Sequence, residues 1–243
     1  MAVYAMSDIH GNYELFKKML EFINFTDDDE LYIIGDIFDR MPNSYEVYKY
    51  IQEHSNIHPL MGNHELMAMT AIKINRYKEW RLWESLNQGI TTMNSFIDNQ
   101  IGGFEERKKK AIDEIYDYCL SLPLYKELYV NGRKFLLVHA GINPNYPIDE
   151  MDIMDVMWIR DEFYYYSTEL KDTLIIFGHT PAINLPYSKS FDVWFDPKNK
   201  DKIGIDGGCF LPMGQLNCLR LDDFTTYSVK NTGEMAEGKI DVE

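Results

Sequence analysis

Cysteine is scarce in this chain. Three occur in 243 residues, Cys119, Cys209 and Cys218, and they form no CxxC pair and no disulfide framework. That suits a reducing compartment, with each thiol expected as a buried apolar residue. Basic residues are also few: 24 Lys and Arg face 39 Asp and Glu, a formal net charge of −15. A nucleic-acid backbone is thereby excluded as the main partner, because counterion release needs a basic face. No apolar run approaches the ~20 residues of a membrane span. Met1 leads straight into a strand-like "VYAM" rather than a secretory leader. The expectation is a cytoplasmic protein with no membrane partner. Repeats, low-complexity tracts and dividing linkers are missing too, so one domain over residues 1–243 is expected.

What is plentiful is material for a core. Hydrophobic residues make up 45% and aromatics 14%, which excludes bulk disorder. The first part alternates short apolar runs with helical patterns. "AVYAM" reads as a strand, and residues 12–24 set Tyr13, Phe16, Leu20 and Ile23 on one helical face. Leu31 to Ile34 read as a strand buried on both faces, followed by a helix near 44–53 with Ser44 as its N-cap. "NIHPLMG" gives a third strand, and three strand-then-helix units predict a parallel α/β arrangement.

Residues 65 to about 122 read as a helical insertion, broken near Gly89 and at Gly102-Gly103. Its "ERKKK" run at 106–110 is expected as a solvated helix face. Strands then return: a hairpin over 126–131 and 134–139 turning at Asn131-Gly132, a buried "DTLIIFGH", and further strands at 202–206 and 215–230 with a turn at Asp222-Asp223.

Each of five strands ends in metal-binding or proton-carrying residue types. The ends are "SDIHG" (Asp8, His10), "GDIFDR" (Asp36, Asp39, Arg40), "GNHE" (Asn63, His64, Glu65), "VHAG" (His139) and "FGHTP" (His179). Sites in open α/β sheets form outside the carboxyl ends of strands, so these residues converge if the strands are neighbours. Carboxylate oxygen with imidazole nitrogen suits Mn²⁺, Fe or Zn²⁺ better than Ca²⁺ or Mg²⁺. The donors are too many for one tetrahedral ion and suit two ions ~3.5–4 Å apart with a bridging carboxylate. Gly35, Gly62 and Gly178 are expected to permit the sharp turns beside them. The remaining histidines, His54 and His58, straddle a helix end and a strand start and are read as surface residues.

The ordered series "SDIHG", "GDIFDR", "GNHE", "HAG" and "GHTP" resembles the calcineurin-like metallophosphoesterases. Because "GDxxDR" and "GNHE" occur together, it resembles their bacterial-type phosphoprotein phosphatase branch. The resemblance implies a four-layer α/β/β/α sandwich around a dinuclear site. In that pattern Asp8, His10 and Asp36 hold the first divalent ion, with Mn favoured over Fe or Zn. Asp36 bridges to the second, held also by Asn63, His139 and His179. His64 is then the general acid, oriented by Asp39, because a carboxylate raises imidazole basicity and fixes its tautomer. Arg40 forks phosphate oxygens. Arg160, in "MWIRDEF", matches a second phosphate-binding arginine, the alternative being an ion pair with Asp161 or Glu162. A shared, ion-activated hydroxide attacks phosphorus directly, since no residue is placed as a covalent nucleophile.

The expected activity is serine/threonine protein phosphatase, on a phosphorylated protein or small phosphoester. The alternative is diadenosine tetraphosphate hydrolysis, which wants extra cations and stacking aromatics. Lys73, Arg76, Trp80, Arg81 and Trp83 are candidates for these, with packing and surface roles as the other reading. A non-catalytic binding module on the same fold predicts a lost ligand or general acid, and none is lost. One departure stands out: Met41 and Pro42 follow Arg40, where relatives carry glycine.

Overall fold

Short apolar segments with period-two alternation can cover both faces of a sheet, and β1 (Val3–Met6) does so. Tyr4 and Met6 pack under helices, while Val3 and Ala5 point into a second apolar cluster. The computed structural model describes residues 1–168, 170 and 172–242. In it β1 pairs in parallel with β2 (Glu30–Ile33), and β2 with β3 (Ile57–Pro59). On its other edge β1 meets β9 (Gln215–Arg220) antiparallel, extended by β10 (Thr225–Lys230) and β11 (Met235–Lys239), giving the order β11-β10-β9-β1-β2-β3.

The second sheet contains the hairpin β4 (Tyr125–Val130) and β5 (Arg133–Val138), then β6 (Thr173–Phe177), β7 (Trp194–Phe195) and β8 (Lys202–Gly204). Its order is β4-β5-β6-β8-β7. The hairpin turns at Asn131 and Gly132, both with positive φ (50° and 80°), as the primed turns of tight hairpins require. Phe135, Leu137, Ile176 and Ile203 meet Val3, Ala5, Ile34 and Leu219 between the sheets. Each such fully buried side chain contributes about 1.5–3 kcal/mol. Helices flank the two sheets: α1 (Tyr13–Phe22) packs on β9 and β10, and Phe163 of a short helix packs on Phe177 at 5.0 Å. The expected α/β architecture of two sheets between helices is present.

Several local expectations change. β2 is not buried throughout, because it lies next to the edge strand and Tyr32 is left half-buried beside His58. Asn43, not Ser44, is the N-cap of α2 (Ser44–Glu53), and the Ser44 hydroxyl instead meets Thr92 at 3.1 Å. Strands β7 and β11 were not foreseen. Between β3 and β4 run α3 (Asn63–Ile74), α4 (Tyr77–Trp80), a π-helical turn (Arg81–Leu86), α5 (Ile90–Asp98) and α6 (Phe104–Ser121). The helices thus begin at Asn63, inside "GNHE". The "ERKKK" run lies on α6 facing solvent, with Lys110 paired to Glu106 at 2.7 Å. The three cysteines are buried and unbridged. Among the described residues, no helix is long and apolar enough to cross a membrane.

Candidate active site

The carboxyl ends of β1, β2, β5 and β6, with the start of α3, bring the predicted residues to one rim. Reversing the chain there is costly. Asp8, His10, Asp36, Asp39, Arg40 and His179 all adopt left-handed φ between 51° and 72°, which L residues take only when the surroundings impose it. Of the three glycines expected at sharp turns, only Gly35 has positive φ (76°). Gly62 and Gly178 provide space instead: an added Cβ would lie 2.2 Å from Asp36 Oδ1 or from Asp8 Oδ2.

Histidine tautomers follow from backbone carbonyls. His10 Nδ1 donates to Phe38 O (2.9 Å) and His139 Nδ1 to Ile34 O (3.0 Å). Each therefore presents an Nε2 lone pair, 3.8 and 3.4 Å from the two oxygens of Asp36. Asn63 Oδ1 lies 2.9 Å from His139 Nε2 and 2.8 Å from His179 Nδ1. Ligand atoms roughly 2.1 Å from one ion stand roughly 3.0–3.4 Å apart, so Asp36, Asn63, His139 and His179 fit a shared cation. Asp36 belongs to both groups of potential metal donors at this rim, the other containing His10 and His64.

Asp8 is placed differently. Both its oxygens accept the His179 N–H (3.1 and 3.0 Å), and it is absent from the two donor groups.

Electrostatics point the same way. Burial, then the Asp8 and Glu65 charges, push the Asp36 carboxyl well up. Burial and the charge of Asp206 do the same to Asp8. Burial holds His10 and His179 well below the usual imidazole range and brings His139 to about 3. His179 Nε2 is buried without a hydrogen-bond partner. Acids starved of positive charge beside unprotonated imidazoles are what a divalent cation corrects.

His64 stands at the edge of this cluster, its Nε2 4.0 Å from Asp36 Oδ2. Its Nδ1 donates to Asp39 Oδ2 at 2.6 Å, while Nε2 is 3.4 Å from Arg40 Nη2. Burial and that guanidinium lower His64 to about 3. Arg40 lies over the Phe210 ring at 4.7 Å, and its Nε has no partner among the described residues. Met41 lines a neighbouring cleft of about 370 Å³, between Asn12, Cys209 and Phe210. Arg160 Nη1 donates to Thr180 Oγ1, beside His179, and is not ion-paired with Asp161 or Glu162 among the described residues. His54 and His58 lie elsewhere, on Tyr50 and Glu30.

Sequence reasoning gave no role to Glu65, which is fully buried and accepts from the N–H groups of Asp36, Ile37, Phe38 and Gly62 at 2.9–3.0 Å. It shapes the loop that carries Asp36. "GNHE" was its only signal. Asp206 in "IGIDGG", beside Asp8, was likewise missed. Trp83 is unavailable for stacking a base, since it is fully buried with its indole N–H on Asp39 (3.0 and 3.1 Å).

The model of the calcineurin-like phosphoesterase family matches residues 1–209. The chain belongs to that family. Among curated relatives, a symmetrical bis(5'-nucleosyl)-tetraphosphatase of Acidovorax sp. (strain JS42) is 28% identical over 80% of this phosphoesterase and 59% of its own length. One from Buchnera aphidicola is 25% identical over 95% and 76%. This phosphoesterase thus spans about 59% of the Acidovorax relative it matches. A crystal structure of a candidate diadenosine tetraphosphatase superposes with TM-score 0.60, 17% identity and coverage of 98% and 92%. A serine/threonine phosphatase of Saccharomyces cerevisiae gives 0.55, 14%, 99% and 80%. At these identities the two structures speak to fold alone.

Proposed function

We propose that this phosphoesterase hydrolyses dinucleoside polyphosphates, cleaving a phosphoanhydride bond of a tetraphosphate bridge with water. The observation that carries the reading is the name shared by the relatives aligned along most of the chain, symmetrical bis(5'-nucleosyl)-tetraphosphatase. It displaces the serine/threonine protein phosphatase expected from the motifs, because the phosphatase likeness rests on fold at 14% identity. Both activities use the same motif residues, so the motifs alone could not choose between them.

In this reading Asp36, Asn63, His139 and His179 would hold one divalent cation, and His10 and Asp36 the other, joined by Asp8 when its carboxylate turns from the His179 N–H. Bound there, the ions supply Lewis-acid charge and acidify water. The chain's own residues do the rest. Arg40 and Arg160 bind non-bridging phosphate oxygens, which leaves less negative charge to build up as the P–O bond opens. His64, oriented through Nδ1 by Asp39, would donate to the departing oxygen from Nε2 once bound phosphate draws away the Arg40 guanidinium, which with burial holds the imidazole at about 3. A nucleoside diphosphate is a stable leaving group, so this proton matters less than it would for an alkoxide.

The test is turnover of diadenosine tetraphosphate against a phosphoserine peptide with added Mn²⁺, with His64→Ala as control. The expected result is formation of two nucleoside diphosphates at a kcat/KM at least tenfold above that for the peptide. Faster, His64-dependent peptide turnover would overturn the proposal.

A further inference from the structure

Asp39 has no solvent exposure, yet it is surrounded by donors. Oδ2 accepts from His64 Nδ1 and Trp83 Nε1 (2.6 and 3.0 Å), and Oδ1 from Thr92 Oγ1 and the same indole (2.7 and 3.1 Å). No acceptor faces either oxygen in these contacts. Thr92 Oγ1 also accepts the Asp39 backbone N–H at 2.8 Å. With its own proton on the carboxylate, Thr92 receives the Ser44 hydroxyl as donor. Thr92 thus fixes Asp39 at both side chain and backbone.

The helical segment is shaped around this contact. Trp83 lies in the π-helical turn, a form that occurs mostly as single turns and is frequent at functional sites. Gly89 leaves space for its ring: a Cβ there would fall 2.4 Å from Trp83 Nε1. Thr92 lies on α5, with no exposure.

We infer that Trp83 and Thr92 are positioning residues. They hold the Asp39 carboxylate so that Oδ2 accepts the hydrogen bond from His64 Nδ1–H and turns Nε2 toward the departing oxygen. The inference rests on His64 as proton carrier, and it extends the Asp39–His64 pair into the helices between β3 and β4. Geometry of this kind acts on one step only. Misplacing the donor costs most when the departing oxygen is strongly basic and little when it is already stable.

The experiment compares wild type, His64→Ala, Trp83→Phe, Thr92→Val and Thr92→Ser, all shown to be folded by circular dichroism. Hydrolysis of p-nitrophenyl phosphate is set against that of glycerol 2-phosphate with Mn²⁺. Separately, the His64 Nδ1–H resonance is followed by NMR in the metal-free protein, assigned by its loss in His64→Ala. His64→Ala should lose about 10²–10⁴-fold on the alkyl ester and far less on the aryl ester. Trp83→Phe and Thr92→Val should lose about 10–100-fold in the same pattern and move the resonance upfield, with Thr92→Ser restoring both. Equal losses on the two esters in Trp83→Phe and Thr92→Val, or an unmoved resonance, would overturn the inference while leaving His64 in place. Equal losses in His64→Ala would remove the reading of His64, and the inference with it.

Discussion

Two regions of this phosphoesterase bury charge, and they treat it in opposite ways. Behind the second sheet, Lys202 on β8 is fully buried with Nζ 3.0 Å from Asp196, 2.5 Å from Asp201 and 3.0 Å from the Tyr166 carbonyl. Burial pushes Asp196 up, but the Lys198 N–H and the Lys202 charge bring it below its usual value. At the rim, Asp8 and Asp36 are equally buried, and each is pushed up by a neighbouring acid with no lysine or arginine paired to it among the described residues. One cluster carries its own counter-ion. The other leaves room for ions from outside, and that difference marks the site more firmly than any single side chain.

The comparison breaks most sharply at Asp36. Asp36→Asn removes the carboxylate shared by both donor groups, so kcat/KM with Mn²⁺ should fall on the order of 10³-fold or more, several kcal/mol of lost charge stabilisation. Chelated, the variant should melt no lower than wild type at pH 7, because it also removes a repulsive charge. The sign with pH is definite. A carboxyl whose folded pKa is raised favours the folded state at low pH and loses that contribution as pH rises from the unfolded value. The advantage of Asp36→Asn in chelated protein should therefore grow with pH, as melting curves across pH would record.

Lys202→Met should do the reverse. It strands the buried Asp196 and leaves the partly exposed Asp201 without its lysine, and removing one partner of a buried pair costs about 3–5 kcal/mol. Denaturant unfolding should show that loss, while kcat of the folded fraction stays near wild type because Lys202 lies outside the rim. A collapse of kcat in folded Lys202→Met would mean that the two regions are coupled.

Metal itself sharpens the contrast at smaller scale. Mn²⁺ at about 100 times its Kd should stabilise chelator-treated wild type by about 2.7 kcal/mol. Lys202→Met should gain a similar increment and Asp36→Asn little, read as shifts in Tm. A matching gain in Asp36→Asn would place the ion elsewhere.

These contrasts also show what could be read before folding. The rim was legible because a short apolar run ending in an acid, amide or histidine with glycine close by has few structural explanations, and five such runs had to converge. A parallel α/β arrangement followed from the same runs and a hairpin from the Asn131-Gly132 turn, whereas the two-sheet layering followed only from the family resemblance. Strand β11, "MAEGK", was not legible: all its residues are exposed and it joins the sheet through backbone pairing with β10. Trp83 and Thr92 were hidden because a tryptophan or threonine on a helix reads like any other packing residue. Their link to Asp39, 44 and 53 positions away, exists only in the fold. Ser44 was misread as a cap for a related reason, since its hydroxyl serves Thr92 on another helix.

A third kind of charge gives the smallest effect. Arg220 and Asp223 pair at the β9–β10 turn through Nε and Oδ1 (2.8 Å) and a second Nη2–Oδ2 contact, with side chains 30% and 38% exposed. Asp223 also accepts the Thr225 N–H and hydroxyl at 3.1 and 2.8 Å. The Arg220 hydrogen bond holds the Asp223 carboxyl well below its usual range. Solvent screening nevertheless limits such a pair to about 0–1 kcal/mol, and its bidentate geometry places it near the upper end. Asp223→Asn should cost about 1 kcal/mol at pH 7 by denaturant unfolding. Because the folded pKa is depressed, that contribution is present above the unfolded value of about 3.9 and disappears as pH falls through the folded one. The gap between wild type and variant should accordingly close in acid, opposite in sign to Asp36→Asn in chelated protein. A loss as large as that of Lys202→Met would mean that partial exposure shields this pair far less than screening requires.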